Sequence, residues 1–203
     1  ITNVSHDIKT PLTSIINYVD LLKRENIQDP KIQGYLDILE AKAQRLKHLT
    51  EDVVEASKIS SGNITMEYMN INFVEMINQT TGEFAEKFEK RNLQIVLNVP
   101  EKPVMVRTDG RRMWRVIENI YNNAAKYALE GTRVYADLIE KEHTVEFSLK
   151  NISEQPLNIS ADELTERFIR GDVSRSTEGS GLGLSIAKNL TELQGGKFEL
   201  YLD

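Results

Sequence analysis

Three clusters of residues in this chain have the types and spacings that suit phosphoryl chemistry. The first lies in Val4-Ser5-His6-Asp7-Ile8-Lys9-Thr10-Pro11-Leu12. Asp7 can hold one ring nitrogen of His6 by hydrogen bonding, which fixes the tautomer and leaves the other nitrogen as a nucleophile. Thr10, at i+4 on the same helix face, carries a hydroxyl that can orient a water for in-line attack on a phosphorylated imidazole. Taken alone, a solvent-facing helix histidine is usually an ordinary surface residue. His48 and His143 read that way, since neither has metal-ligand spacing.

The second cluster lies in Glu118-Asn119-Ile120-Tyr121-Asn122-Asn123-Ala124-Ala125-Lys126-Tyr127. Asn119 and Asn123 share a helix face, with Lys126 and Tyr127 one turn on. Asparagine oxygens suit Mg²⁺, which takes few protein ligands and keeps several waters. Lys126 offers a point charge for phosphate, and Tyr127 a ring to pack on a base. Without context the same residues are a polar helix face ending in a lysine. The third cluster is Glu178-Gly179-Ser180-Gly181-Leu182-Gly183-Leu184, glycines at alternate positions feeding a helix. Their amides can approach an anion closely, and a helix N-terminus favours negative charge. A polar stretch rather than a strand precedes them, which argues against a dinucleotide fingerprint, and no Lys-Ser/Thr pair closes a Walker loop.

These clusters need elements to hold them. Apolar residues at Ile1, Val4, Ile8, Leu12, Ile15, Val19 and Leu22 recur at spacings of three and four, predicting a helix to about residue 24 with His6 on its outer face,. Pro11 should bend it one turn after His6. Residues 25–30 read as a turn, and residues 31–60 as a second helix with its stripe at Ile32, Leu36, Leu39, Ala43, Leu46, Leu49, Val53 and Ala56. A lone hairpin cannot cover both stripes, so a homodimeric four-helix bundle through residues 1–60 is expected. Ser60-Ser61-Gly62-Asn63 marks a boundary. Beyond it the pattern predicts strands at 71–73, 93–99, 104–108, 132–140, 144–150 and 197–202. Helices are predicted at 74–91, at 110–128 with Asp109 as its cap, and at 182–193, with an irregular, mobile stretch over 151–180. The sum is an all-α dimeric hairpin (1–62) followed by an α+β two-layer domain (63–203) with its helices on one mixed sheet.

The net charge is -6 over 203 residues. It leaves no basic excess for nucleic acid or an anionic membrane surface, so neither is expected as a partner of this fragment. With no cysteine, disulfides, thiolate metal sites and cysteine nucleophiles are excluded. No apolar run approaches a bilayer span, and no signal peptide pattern stands at the start. The chain opens inside a helical pattern, which reads as a piece of a longer protein.

In order and spacing, the three clusters resemble the bacterial sensor histidine kinases of two-component systems. Ser5–Leu12 is similar to the H-box of the dimerisation and phosphoacceptor domain, and Asn119–Tyr127 to the N-box. Phe168-Ile169-Arg170-Gly171-Asp172 is similar to the F-box, and Gly179–Leu184 to the second glycine box. The resemblance implies an ATP-binding sandwich of the gyrase/Hsp90 superfamily with a lid over the nucleotide. It implies that His6 takes the γ-phosphoryl group, that Asp7 assists as base, and that Thr10 supports dephosphorylation of a partner regulator. It places Mg²⁺ on Asn123, phosphates at Lys126 and Arg170, and the nucleotide against Asn119, Tyr127, Asn151, Gly179, Gly181, Leu182 and Gly183. The implied partner is the receiver domain of a response regulator, met through the bundle surface near Asn17 and Asp20. The implied location is the cytoplasmic part of a membrane-anchored sensor. In the family a closing strand follows the one expected at 197–202; here the sequence stops before it.

One box departs from the family. Its first glycine box is Asp-x-Gly-x-Gly; here stands Asn151-Ile152-Ser153-Glu154-Gln155. An Asn151 oxygen can still accept from the adenine amino group, without charge assistance, at a cost of about 1 kcal/mol. Ser153 and Gln155 restrict positive φ, so the lid's first hinge must be built differently. Two functions are compatible with this sequence: an active ATP-dependent histidine kinase core, or a degenerate kinase serving as a dimeric signalling module.

Overall fold

The computed structural model describes residues 2–25, 27–62, 64–154 and 182–202, with side chains from Ile8 onward. The N-terminal unit is a helical hairpin. Its first helix, α1, spans Thr2–Arg24 and continues through Pro11. The second, α2, spans Pro30–Ser60. Asp29 starts α2: its carboxylate accepts from the Lys31 amide at 2.8 Å, and Pro30 occupies the first turn, where its missing N–H costs nothing,. Lys23 joins the two helices through Glu40 at 2.6 Å and Asp37 at 2.9 Å. Hydrogen bonds to these carboxylates, Glu40 first, hold its ammonium above the ordinary lysine pKa.

The two apolar stripes are wider than one hairpin can cover. Leu12 and Val19 of α1 and Leu36 and Ala43 of α2 are buried. Ile8, Ile15 and Leu22 on α1, and Ile32, Leu39, Leu46 and Val53 on α2, remain exposed, Val53 to 57%. The expected seam is thus divided: one line of it closes the hairpin, and these seven residues are left exposed.

The second unit layers helices on strands. In order, it comprises β1 (Tyr68–Asn72), α3 (Phe73–Glu89), β2 (Gln94–Asn98), β3 (Met105–Asp109), α4 (Gly110–Tyr127), β4 (Arg133–Glu140), β5 (Val145–Lys150) and α5 (Gly183–Leu193). β4 shows why it is a strand: Val134, Ala136 and Leu138 alternate inward, while Arg133 and Tyr135 face out,. β2 runs parallel to β4 and β5 antiparallel to it; β1 and β3 form a separate antiparallel pair. Two ladders therefore replace the expected single sheet among the described residues. Pro100 and Pro103 lie between β2 and β3 and carry no amide with which to continue a ladder,.

The core lies between α3, α4 and the three-stranded sheet. Tyr121 of α4 is at its centre, fully buried, with its ring centroid 5.5 Å from Phe84, 6.0 Å from Phe88 and stacked on Phe147 at 6.3 Å,. Its hydroxyl meets Thr81 Oγ1 at 2.8 Å, and burial raises its pKa. Two expectations are corrected. Residues 197–202 form no strand, because they join no ladder among the described residues. The irregular stretch expected from residue 151 is not loose at its start, where Ser153 bridges Ala128. Among the described residues, no helix is long and apolar enough to cross a membrane.

Asp109 caps α4 as the sequence predicts. One carboxylate oxygen accepts from the Arg112 amide at 3.0 Å and the other from the Glu67 amide at 2.9 Å. Burial pushes this carboxyl up, but the two amides and the Arg112 charge together bring it below the ordinary aspartate value,. Asp109→Ala should cost about 1–2 kcal/mol in urea unfolding at neutral pH. A depressed carboxyl contributes its stability above the unfolded value of about 4 and loses it as pH falls through the lower folded value. The gap between wild type and variant should therefore shrink when the titration is repeated at acid pH.

Candidate active site

α4 carries two faces at once. Val116, Ile117, Tyr121, Ala124 and Ala125 are buried, and the helical period then brings Asn119, Asn123 and Lys126 together on another side. Asn122, between the two asparagines in sequence, turns toward α3, where its Oδ1 accepts from Lys87 Nζ at 2.5 Å. Burial lowers the Lys87 pKa. This separates the three asparagines: Asn122 ties α4 to α3, and Asn119 and Asn123 belong to the other face.

Asn119 is the most constrained of them. It is 8% exposed, and its Nδ2 is buried without a hydrogen-bond partner among the described residues. An orphaned buried amide costs about 1–3 kcal/mol unless something completes it. Opposite it stands Gly183, the first residue of α5, where a Cβ would lie 3.3 Å from Asn119 Oδ1. The glycine keeps this side of Asn119 open. Lys126 extends its ammonium over the Tyr127 ring, 4.7 Å from the centroid, so cation and aromatic ring are presented together.

The segment that departs from the family pattern docks on the end of α4. The Leu129 amide donates to the Ile152 carbonyl at 2.8 Å, and the Glu154 amide to the Tyr127 carbonyl at 2.9 Å. Asn151 is exposed; its Nδ2 donates to the Ile152 carbonyl at 3.3 Å, leaving Oδ1 as an acceptor. At the other end of the helix, Gln194 follows α5 and ties it to α4: its Oε1 accepts from the Thr108 hydroxyl at 2.6 Å and the Asp109 amide at 2.9 Å. No sequence pattern singles out Gln194, because its partners lie more than eighty residues away.

The structure thus gathers Asn119, Asn123, Lys126 and Tyr127 on α4 and sets Gly183 against Asn119; Leu182, the residue before Gly183 in sequence, is part-exposed. Arg170, Gly179 and Gly181 lie outside the described residues. His6 and Asp7 fall within α1, but their side chains also lie outside what is described; Thr10, exposed on α1, is described. The group of residues present fits a nucleotide with Mg²⁺. The unpartnered Nδ2 of Asn119 and the close approach of Gly183 to its Oδ1 suit a polar ligand. Among the described residues there is no cluster of acidic or histidine ligands to hold a metal by itself, so a cation here would rely on amide oxygen and on phosphates, as Mg²⁺ commonly does.

Residues 1–62 match the family of the His Kinase A (phospho-acceptor) domain, and residues 108–202 that of the histidine kinase-, DNA gyrase B- and HSP90-like ATPases. The chain belongs to the sensor histidine kinases. It combines a phospho-acceptor domain with an ATPase-type nucleotide-binding domain. The sensor protein VanSC of Enterococcus gallinarum is 33% identical over 97% of this chain, which spans 55% of that protein; the chain thus covers about half of this relative. The structure of ShkA in complex with AMPPNP aligns over 96% of this chain and 40% of its own, with a TM-score of 0.75 at 20% identity, a likeness of fold. A histidine kinase, ThkA, in complex with the response regulator protein TrrA aligns over 96% of this chain and 54% of its own, with a TM-score of 0.60 at 23% identity.

Gly183→Ala tests the close approach of Gly183 to Asn119. A helical glycine replaced by alanine should raise helix propensity slightly, yet the new methyl presses on Asn119. Calorimetric titration with an ATP analogue should show affinity reduced about tenfold, while the melting temperature shifts by no more than a few degrees.

Proposed function

We propose that this chain is an ATP-dependent kinase core that phosphorylates its own His6, passes the group to an Asp of a response regulator receiver domain, and supports dephosphorylation of that regulator through Thr10. The observation that carries the reading is Asn119, whose buried Nδ2 has no hydrogen-bond partner among the described residues and whose Oδ1 faces Gly183 at the start of α5. Residues 1–62 serve as dimerisation and phosphotransfer hairpin and 63–203 as ATP-binding catalytic domain.

In this reading, Asn119 and Tyr127 hold the nucleotide, Lys126 and Arg170 meet its phosphates, and Gly179, Gly181, Leu182 and Gly183 supply close-approaching backbone. Asn151 Oδ1 accepts from the adenine amino group. Asn123 holds Mg²⁺, which when bound neutralises charge on the phosphates. Phosphoryl transfer needs positioning and charge neutralisation above all. A free ring nitrogen of His6 forms a bond to the γ-phosphorus, the bond to the bridging oxygen breaks, and ADP leaves with the electron pair. Asp7 takes the proton from the other ring nitrogen, or holds it in place. The carboxylate of the regulator then attacks the same phosphorus, and the His6 nitrogen leaves.

The outward apolar line at Ile8, Ile15, Leu22, Ile32, Leu39, Leu46 and Val53 supports a homodimer, since seven such residues on one hairpin exceed what a monomer leaves in water without a partner. The ThkA–TrrA complex supports a receiver domain as the partner. The likeness to sensor proteins such as VanSC supports a cytoplasmic location in a membrane-anchored whole. A second reading, a dimeric module with weak or no ATP turnover, rests on Asn151 and Ser153 standing where the family has Asp and Gly.

With labelled ATP and Mg²⁺ the wild type should incorporate phosphate that is stable to base and labile to acid, and His6→Ala should incorporate none. Equal labelling of both would remove His6 from the mechanism, and no labelling of the wild type together with millimolar nucleotide binding would favour the second reading. Thr10→Ala should keep autophosphorylation within about twofold while regulator dephosphorylation slows by about tenfold or more; an unchanged dephosphorylation rate would exclude the role of Thr10.

A further inference from the structure

The turn between α3 and β2 presents Arg91 to the C-terminal end of α4. This placement is tightly specified. Three amides in succession, of Lys90, Arg91 and Asn92, close on Glu86, Phe88 and Glu89, and the Leu93 amide returns to Phe88. Asn92 takes a left-handed backbone, φ 50°, which asparagine tolerates better than most residues. Its side chain donates to Glu130 at 3.3 Å, and the Arg91 carbonyl accepts from the Gly131 amide. The Arg91 side chain is therefore delivered from a braced turn.

What that side chain does is specific. One guanidinium nitrogen, Nη1, donates to the Ala125 carbonyl at 3.0 Å and also to the Lys126 carbonyl. These are last-turn carbonyls that a helix leaves without internal partners, at the end where its dipole favours a cation. The other nitrogen, Nη2, donates to Glu154 Oε2 at 2.9 Å. Glu154 is the residue between the two positions that are glycine in the family's first glycine box, and its own amide bonds the Tyr127 carbonyl. One planar fork thus spans three chain segments: the α3–β2 turn, the end of α4 that bears Lys126 and Tyr127, and the segment that bears Asn151. Arginine can do this and lysine cannot, because only the guanidinium has donors fixed in two directions.

We infer that Arg91 and Glu154 form a latch that positions the nucleotide-contacting residues Lys126, Tyr127 and Asn151 relative to one another. The latch stands in for the hinge that two glycines would give. It rests on the nucleotide reading above. The pair is partly exposed, Arg91 at 27% and Glu154 at 53% of the side chain, so its contribution to global stability is small. Its effect lies in the alignment of groups that touch the ligand but do not include Arg91 or Glu154.

The test uses the whole chain and an ATP-analogue titration, followed by autophosphorylation kinetics over a range of ATP concentrations. Glu154→Gln keeps shape and removes the charge; Arg91→Lys keeps charge and removes the fork. Each should raise KM for ATP about fivefold, with kcat at saturating ATP within twofold and an unchanged urea midpoint for Glu154→Gln. The double variant Arg91→Ala/Glu154→Ala should be no worse than the single Arg91→Ala, showing that the two act as one unit. Hydrogen exchange at the Leu129 and Glu154 amides should quicken in both single variants. A wild type that binds the analogue, with both conservative variants unchanged in KM, would overturn the latch alone. A wild type that does not bind overturns the nucleotide reading and the latch with it. A fall in kcat with KM unchanged also overturns the latch.

Discussion

The register of α4 is the constraint on which the catalytic unit depends. Along eighteen residues, this helix must bury Tyr121 among Phe84, Phe88 and Phe147 and hold Asn119 against Gly183 with its Nδ2 unpartnered among the described residues. A rotation of one residue, about 100°, would put an asparagine into the aromatic core and Tyr121 into water. Burying an unpaired amide costs several kcal/mol, and exposing the ring forfeits a further 1.5–3 kcal/mol or so. The core therefore sets the direction in which the polar face looks, and ligand chemistry inherits its geometry from hydrophobic packing.

Packing alone fixes rotation and leaves translation to the ends. At the N-terminus, Asp109 closes α4 onto the segment before β1, and Gln194 ties the same point to α5. At the C-terminus, Arg91 takes the last carbonyls. Both ends are held by side chains from elsewhere in sequence, so the helix that carries the site is also the one on which distant segments converge. The hairpin is organised the other way. It has few long-range ties beyond Lys23 with Asp37 and Glu40 among its described residues, and more apolar surface than it can cover. The catalytic unit has an interior of its own; the hairpin leaves much of its apolar surface exposed.

Legibility in the sequence follows this distinction. Long amphipathic helices announce themselves by period, so α1, α2 and the bounds of α4 with its Asp109 cap were readable from residue spacing. The polar cluster at Asn119 to Tyr127 was readable because all its members lie on one helix. The pairing of strands was not, since it depends on which edges remain after Pro100 and Pro103 interrupt the chain, and residues 197–202 have strand composition but join no ladder among the described residues. Least readable were Arg91 and Gln194. Each is a common polar residue at the end of a helix, and what distinguishes it is a partner sixty to ninety residues away. No local pattern encodes such a contact.

The altered glycine box illustrates how two local losses can be offset by one long-range gain. Asn151 forgoes charge assistance toward a donor, about 1 kcal/mol. Ser153 and Gln155 forgo the φ freedom of glycine, which would let a hinge swing,. Glycine hinges, however, must be ordered when a ligand closes on them, at roughly 1 kcal/mol or more for each backbone residue fixed. Here the Ile152 carbonyl, the Glu154 amide and the Arg91–Glu154 pair have already ordered that segment on α4. A segment ordered in advance asks less of the ligand, and the saving is of the same size as the lost charge assistance. The substitution is then an exchange of a swinging acceptor for a fixed one. Its sign for nucleotide affinity is decided by whether Arg91 holds the segment where the acceptor of Asn151 is needed, which makes a residue outside the family's motifs the determinant of how well an altered motif performs.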